Sequence, residues 1–417
     1  MAYSLMVFTW IFLAALGAAL LTRLWLAQRQ VRHVRAHREA VPAMFAQSIP
    51  LPAHQKAADY TVAKARLGIV DTVLDALLLL ALTLGGVLQW LSDLWQRVFA
   101  VDSIWHGTAL ILTAFLVRGV LGLPLSLYRI FVIEERFGFN RMTLRLFITD
   151  TIKGLVVGAV LGVPLLLAVL WLMLAAGPWW WLYVWLVLVV YSLFLQMIYP
   201  AVVMPLFNKF SPLTDEALAG RIEKLLSRTG FRSRGLFIMD GSKRSSHGNA
   251  FFAGFGAAKR IVLFDTLVSR LQPGEVEAVL AHELGHYKLR HIVKGMALSW
   301  AFSFLLLLVL GLVADKAWFY EGLGVSTATL PVALVLFMLV VPEFTFFVQP
   351  LISLFSRKNE YEADRYAAQN ADAKELVQAL VKLYHDNSST LTPDPLHSAY
   401  YDSHPPAAMR IARLKTA

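Results

Sequence analysis

Stretches of about 20 residues with almost no charge alternate along this chain with basic or mixed polar segments. The apolar stretches lie near residues 4–22, 69–91, 104–126, 151–176, 180–206, 294–314 and 329–352. Each is long enough to cross a hydrocarbon layer about 30 Å thick, so the pattern predicts seven transmembrane helices. The polar regions 207–293 and 354–417 carry a finer pattern. A helix with Thr214 as its N-cap is predicted to run to about Arg228, with Gly230 as its stop. Leu236 to Met239, Ala250 to Phe255 and Ile261 to Phe264 read as strands, the last two forming a hairpin across Gly256-Ala257-Ala258-Lys259. A further helix opens at Pro273-Gly274, with Glu275 and Glu277 in its first turn and an apolar stripe of Val276, Val279 and Leu280. It runs on towards the sixth span. No tandem repeat or low-complexity tract interrupts this plan.

Composition agrees with a membrane protein: the chain is 58% hydrophobic and 16% charged, with a mean hydropathy of +0.59. That is more apolar surface than one soluble core can hide. Basic residues set the orientation. Arg23, Arg29, Arg32, Arg35, Arg38, Lys56, Lys64 and Arg66 follow the first span, and Arg129, Arg136, Arg141 and Arg145 lie between the third and fourth. The alternate loops hold little positive charge, so the positive-inside rule predicts an N-out, C-in protein with both long polar regions in the cytoplasm. The leading Met-Ala-Tyr-Ser has no positive side chain, so the first span reads as a retained anchor rather than a cleaved signal. The net charge of +10 sits largely beside the spans, which points to anionic lipid headgroups and not to nucleic acid. Asp71, Asp75, Arg118 and Glu343 fall inside spans, where they require one another or water, so a polar chamber between the helices is expected. Asp150 and Lys153 read as span-end residues that snorkel.

The candidate chemistry lies in His282-Glu283-Leu284-Gly285-His286. Imidazoles four residues apart share a helix face and can grip one zinc ion, with the intervening carboxylate beside the metal's water. The alternative is a structural helix whose histidines are satisfied by neighbours. The chain contains no cysteine, so a third ligand must be imidazole or carboxylate. Glu360 and Asp364 share a helix face just beyond the last span. Glu360 is the candidate ligand, and Asp364 is suited to accept the outer N–H of a ligating imidazole. A solvated acidic face paired with Arg365 is the competing reading, and Glu362 points elsewhere on that helix. His404 before Pro405-Pro406, followed by Arg410, suits stabilisation of an oxyanion, although an ordinary surface turn fits as well. His33, His37, His247, His291, His385 and His397 read as surface or structural histidines.

Six motifs carry a resemblance that covers nearly the whole chain. They are Ile133-Glu134-Glu135-Arg136-Phe137-Gly138-Phe139-Asn140, Pro205-Leu206-Phe207-Asn208-Lys209-Phe210, Gly248-Asn249-Ala250-Phe251-Phe252, the pentad at 282–286, Glu360-Tyr361-Glu362-Ala363-Asp364, and His404-Pro405-Pro406 with Arg410. In this order they resemble the integral-membrane zinc metalloproteases of the CAAX prenyl protease (a-factor-converting, type I CAAX endopeptidase) family. The resemblance implies one zinc ion per chain on His282, His286 and Glu360, with Glu283 as general base and acid. It implies that Asn249 holds substrate and that His404 and Arg410 support the transition state. It also implies seven helices around a water-filled chamber whose cytoplasmic end carries the site. Glu362 departs from the pattern, in which glutamine is common. The chain is compact and Leu414-Lys415-Thr416-Ala417 shows no retrieval signal, so a bacterial inner-membrane homologue is expected.

The expected fold is therefore an all-α polytopic membrane protein of about seven transmembrane helices enclosing a polar chamber, with a small α+β zincin-like metalloprotease domain on the cytoplasmic side. Residues 1–206 form the membrane region, and residues 207–417 the protease domain with two further spans. The expected partners are a peptide or protein substrate, prenylated or membrane-associated, and membrane lipids. A heat-shock-type quality-control protease shares the metal pattern but usually has fewer spans, and a site-2-type intramembrane protease fits poorly with the charged flanks Glu275, Glu277, Lys288 and Arg290. A transporter or receptor scaffold with a structural metal is the non-enzyme alternative.

Overall fold

The computed structural model of the protein describes residues 2–233, 235–253 and 260–415. Among them, six helices are long and apolar enough to span a membrane: Met6–Ala36, Ile104–Glu134, Leu144–Ala175, Gly177–Phe207, His291–Val313 and Leu330–Asn370. A bent pair, Leu51–Leu82 and Val87–Gln96, which meet at 51°, is apolar enough to make a seventh when its two halves are taken together. The continuous span anticipated at 69–91 is thus broken in its middle. The cause is local: a Cβ at Gly85 would stand 2.7 Å from the Ala81 backbone, and Gly86 adopts a left-handed φ of 75°. Only glycine takes both positions without strain.

Several spans are longer than the bilayer requires. At about 1.5 Å per residue, a 32-residue helix such as Leu144–Ala175 reaches about 48 Å, well past a hydrocarbon layer of about 30 Å. The surplus turns carry the polar part of the protein. Among the described residues, three of the four charged residues expected to need partners within the spans meet them, Asp71 being the exception: Arg118 lies 2.7 Å from Asp75, and Arg23 lies 2.8 Å from Glu343 while covering the Phe346 ring at 4.5 Å. Asp150 does not simply snorkel; it takes a two-toothed grip from Arg244 at 2.7 and 3.1 Å. Lys153 donates to the Leu206 carbonyl at 2.8 Å. Basic residues read as lipid contacts are also partly committed to protein, since Arg29 pairs with Asp394 at 2.9 Å and Arg38 with Asp59 at 2.9 Å. Such pairs reduce the cost of charge at membrane depth.

The polar domain is built on a four-stranded sheet of order β1-β2-β4-β3, comprising β1 (Phe210–Pro212), β2 (Leu236–Met239), β3 (Ala250–Ala253) and β4 (Arg260–Phe264). β2 and β4 run parallel, while β1 and β3 flank them antiparallel as the two edges. β1 was not anticipated, because its Phe-Ser-Pro sequence carries no strand periodicity and it is recruited by β2. β3 and β4 pair in the antiparallel sense expected of a hairpin, while its turn at 256–259 lies outside the described residues. The helix Glu216–Arg228 starts one residue later than predicted, with Asp215 as its cap accepting from the Leu218 N–H at 2.9 Å. Gly230 ends it at a left-handed φ of 61°.

The helix Pro273–Lys288 packs centrally between this sheet, the helix Glu216–Arg228 and the helices Gln349–Asn370 and Ala373–Asp386. Val276, Ala278, Leu280, Ala281 and Leu284 are fully buried in its surroundings. Its start is held by a capping box in which Glu275 accepts from the Gln272 N–H at 2.7 Å. Glu275 also pairs with Lys382 at 2.6 Å, and Glu277 with Arg228 at 2.6 Å and Arg221 at 3.0 Å. The helix is therefore anchored before it reaches its two histidines.

Candidate active site

His282 and His286 lie on the last two turns of Pro273–Lys288, and Glu360 on the facing helix Gln349–Asn370. Close approach of the two backbones is permitted by Gly285, where a Cβ would stand 2.9 Å from Ala363 Cα. His282 Nε2 and His286 Nε2 are 3.2 Å apart. Glu360 carboxylate oxygens lie 3.2 Å from His286 Nε2 and 3.5 Å from His282 Nε2. One ligand atom from each of these three residues falls within a 4.8 Å cluster. Glu360 is 3% exposed, so the acidic pair at 360 and 364 is not a solvated face.

The donor set fits a metal ion. Glu360 Oε2 is buried without a well-directed hydrogen bond, although His404 Nδ1 comes within 2.7 Å of it. Burial pulls the His282 imidazole towards neutrality, but the carboxylates of Asp364 and Glu360 reverse this and raise it to about 9. The pocket is thus built to stabilise positive charge between these side chains. Two imidazoles and a carboxylate are also a suitable catalytic zinc set, leaving a position for water.

Around the cluster, Asp364 Oδ1 stands 2.9 Å from His282 Nδ1, the nitrogen facing away from the other ligands. Arg410 grips the same carboxylate with two bonds of 2.8 and 2.6 Å and is itself 7% exposed. Burial disfavours its charge, but Asp364 outweighs that and holds the guanidinium above its ordinary value. Arg410 Nη2 is also 3.3 Å from His282 Nδ1. Arg410 Nη1 comes within 3.7 Å of Glu360 Oε2, so its charge touches the ligand carboxylate as well as Asp364. His404 is different: 63% of its side chain is exposed, so it covers Glu360 from the open side. Burial pushes the Glu283 carboxyl up, against the opposing pull of the neighbouring imidazoles.

Among the described residues, no hydrogen bond joins Asn249 to the three ligand residues. It precedes β3, its backbone carbonyl accepts from the Phe264 N–H at 3.0 Å, and it lines a largely apolar cavity of about 1380 Å³ together with Tyr287 and Lys288 of the metal helix. His247, read as structural, stacks on Phe139 at 4.5 Å and lies 3.8 Å from Glu134. Glu134 also accepts from the Tyr60 hydroxyl at 2.7 Å. The motif at 133–140 therefore ties the loop leading to Asn249 to the membrane helices. Two residues gain a part that the sequence did not suggest. His291 Nδ1 is 3.1 Å from His286 Nδ1, and His291 Nε2 is 3.1 Å from Glu362 Oε2. No spacing rule exposes this contact, because a helix break separates His286 from His291.

A chain of six to seven apolar spans that also carries a His-His-Glu cluster, with a glutamate between the two histidines in sequence, defines an integral-membrane zinc metalloendopeptidase acting on peptide or protein substrates. The chain belongs to the CAAX prenyl protease family. The family model described as CAAX prenyl protease N-terminal, five membrane helices, matches residues 30–209, and that of peptidase family M48 matches residues 212–417. The CAAX prenyl protease 1 homolog of Arabidopsis thaliana is 36% identical over 367 residues, covering 86% of each chain. CAAX prenyl protease 1 of Saccharomyces cerevisiae is 39% identical over 308 residues, 70% of this chain and 68% of its own. The crystal structure of Ste24p from S. mikatae superposes with a TM-score of 0.92 at 32% identity, covering 98% of this chain and 99% of that one. These matches set aside the transporter reading and the heat-shock-type architecture with fewer spans.

Proposed function

We propose that one zinc ion per chain is held by His282, His286 and Glu360, and that the protein cleaves prenylated or otherwise membrane-associated peptides at the cytoplasmic face. The observation that carries this reading is the convergence of one ligand atom each from His282, His286 and Glu360 within 4.8 Å, the two histidines lying on the helix that also carries Glu283. Zinc bound there would polarise the scissile carbonyl as a Lewis acid and lower the pKa of water towards neutrality. Glu283 takes the proton from the attacking water and later delivers it to the departing amine nitrogen. His404, the exposed imidazole over Glu360, faces the substrate side and supports the developing oxyanion. Asp364 holds His282 by its outer nitrogen, and Arg410 holds Asp364; we assign Arg410 to positioning. Asn249 and the edge strand β3 receive the substrate as an added strand, whose backbone bonds tolerate varied sequences.

A lipidated substrate is supported by the cavity beside β3, whose lining includes Val157, Leu195, Val203, Phe251 and Phe252. Basic loops support the cytoplasmic placement. Exposed partners such as Asp75 and Arg118 between apolar helices support a wetted chamber. We also propose 1–206 and 207–417 as the working division of the chain, with Phe45 and Ile49 crossing it to pack in the protease core.

The test uses the full chain reconstituted in liposomes with a peptide ending in a CAAX sequence, prenylated or not. Zinc-dependent cleavage of the prenylated form, lost in Glu283→Gln with zinc retained, supports the proposal. Activity in Glu283→Gln refutes the assigned base. Equal KM for both peptides refutes the lipid preference.

A further inference from the structure

The metal helix ends at Lys288, and the chain reverses through Arg290 before His291 opens the next span. Arg290 has φ 56° and ψ 34°, a left-handed conformation that non-glycine residues rarely adopt. In an uninterrupted helix, residue 291 would stand about 140° round from residue 286. The break instead brings His291 back onto His286. Their rings are 5.1 Å apart and nearly perpendicular, at 77°. His291 is 5% exposed, and its far nitrogen is 3.1 Å from Glu362.

The two ligand histidines are therefore supported differently. The outer nitrogen of His282 meets a carboxylate directly at Asp364, whereas that of His286 meets a second imidazole. Two ring nitrogens facing each other at 3.1 Å share one proton, so one must donate and the other accept. A carboxylate on the far side decides which. Glu362 accepts from His291 Nε2–H, which leaves His291 Nδ1 bare to accept from His286 Nδ1–H. His286 is then left with a free lone pair on Nε2, the nitrogen that faces His282 and Glu360.

We propose that His291 and Glu362 are positioning residues that fix the tautomer and ring orientation of His286 for metal binding. This rests on the reading of His286 as a ligand. Arg290 serves the same end by its turn, and Lys294, 3.9 Å from Glu362, lies outside the relay.

The experiment is a chelator-competition titration of zinc on the purified full chain, paired with the visible spectrum of the Co²⁺-substituted protein and thermal unfolding of the metal-free form. His291→Ala is expected to weaken zinc binding about 10- to 100-fold and to alter the Co²⁺ bands. Glu362→Gln is expected to give a smaller loss in the same direction. His291→Asn, which keeps an acceptor, is expected to recover part of the affinity, and Lys294→Ala to match wild type. Unchanged affinity and spectrum in His291→Ala overturn the proposal. If that variant does not fold, unchanged affinity in both His291→Asn and Glu362→Gln overturns it instead. A wild-type chain that binds no zinc, or a His286→Ala variant that binds it normally, overturns the ligand assignment, and the relay with it.

Discussion

Replacing Gly285 by alanine tests how the cluster is assembled. A Cβ there would lie 2.9 Å from Ala363 Cα and 3.2 Å from the Ala363 carbonyl oxygen. Carbon atoms in ordinary contact sit about 3.5–4.0 Å apart, so the metal helix and the Glu360 helix must separate by at least about 0.6 Å. Metal–ligand distances tolerate about 0.2 Å. Because His286 adjoins Gly285 and Glu360 lies one turn from Ala363, the separation falls directly on the ligand set. Stability should change far less. Overpacking costs about 1–3 kcal/mol, whereas alanine in place of helical glycine returns about 1 kcal/mol. The net loss is thus expected to be at most about 2 kcal/mol. Zinc affinity is expected to fall at least about tenfold, equivalent to about 1.4 kcal/mol. Chelator competition and thermal unfolding of the metal-free protein separate the two effects. A Gly285→Ala chain that binds zinc like wild type would refute the view that backbone contact at this glycine sets the ligand geometry.

Three further outcomes are expected. Removing the metal with a chelator should abolish peptide cleavage and lower the unfolding temperature, and added zinc should restore both, because a ligand of the folded state stabilises it by mass action; activity that survives complete zinc removal would exclude metal catalysis. Arg410→Ala leaves Asp364 buried without its cation and should destabilise the fold by about 3–5 kcal/mol in chemical denaturation, with much of that loss relieved in the Arg410→Ala/Asp364→Asn double variant. Glu277→Ala removes the partner of two half-exposed arginines, and should cost about 1 kcal/mol without changing zinc affinity in the same titration.

Much of the architecture was legible one segment at a time. Spans declare themselves because hydrocarbon requires about 20 apolar residues, whatever the neighbouring helices do. The pentad was equally local: a spacing of four on a helix brings His282 and His286 to one face without reference to the rest of the fold. Glu360 and Asp364 could be nominated by the same spacing, but not placed. Their burial against the metal helix depends on a glycine whose purpose emerges only when Ala363 lies against it. Thr83 to Gly86 contains the break in the second span, yet a hydropathy window passes over a kink.

The chain's own order of residues determined that it crosses a membrane, that it carries a paired-histidine helix, and that no thiolate can join its metal site, since each follows from composition or near-neighbour spacing. Tertiary structure alone decided that Arg410 faces Asp364, that His291 returns to His286 across a left-handed turn, and that β1 completes the sheet. These contacts join residues separated by a helix break or by tens of positions, and no periodicity records them. Packing energy is summed over the folded surface, and the partners of a buried charge become defined only when that surface closes.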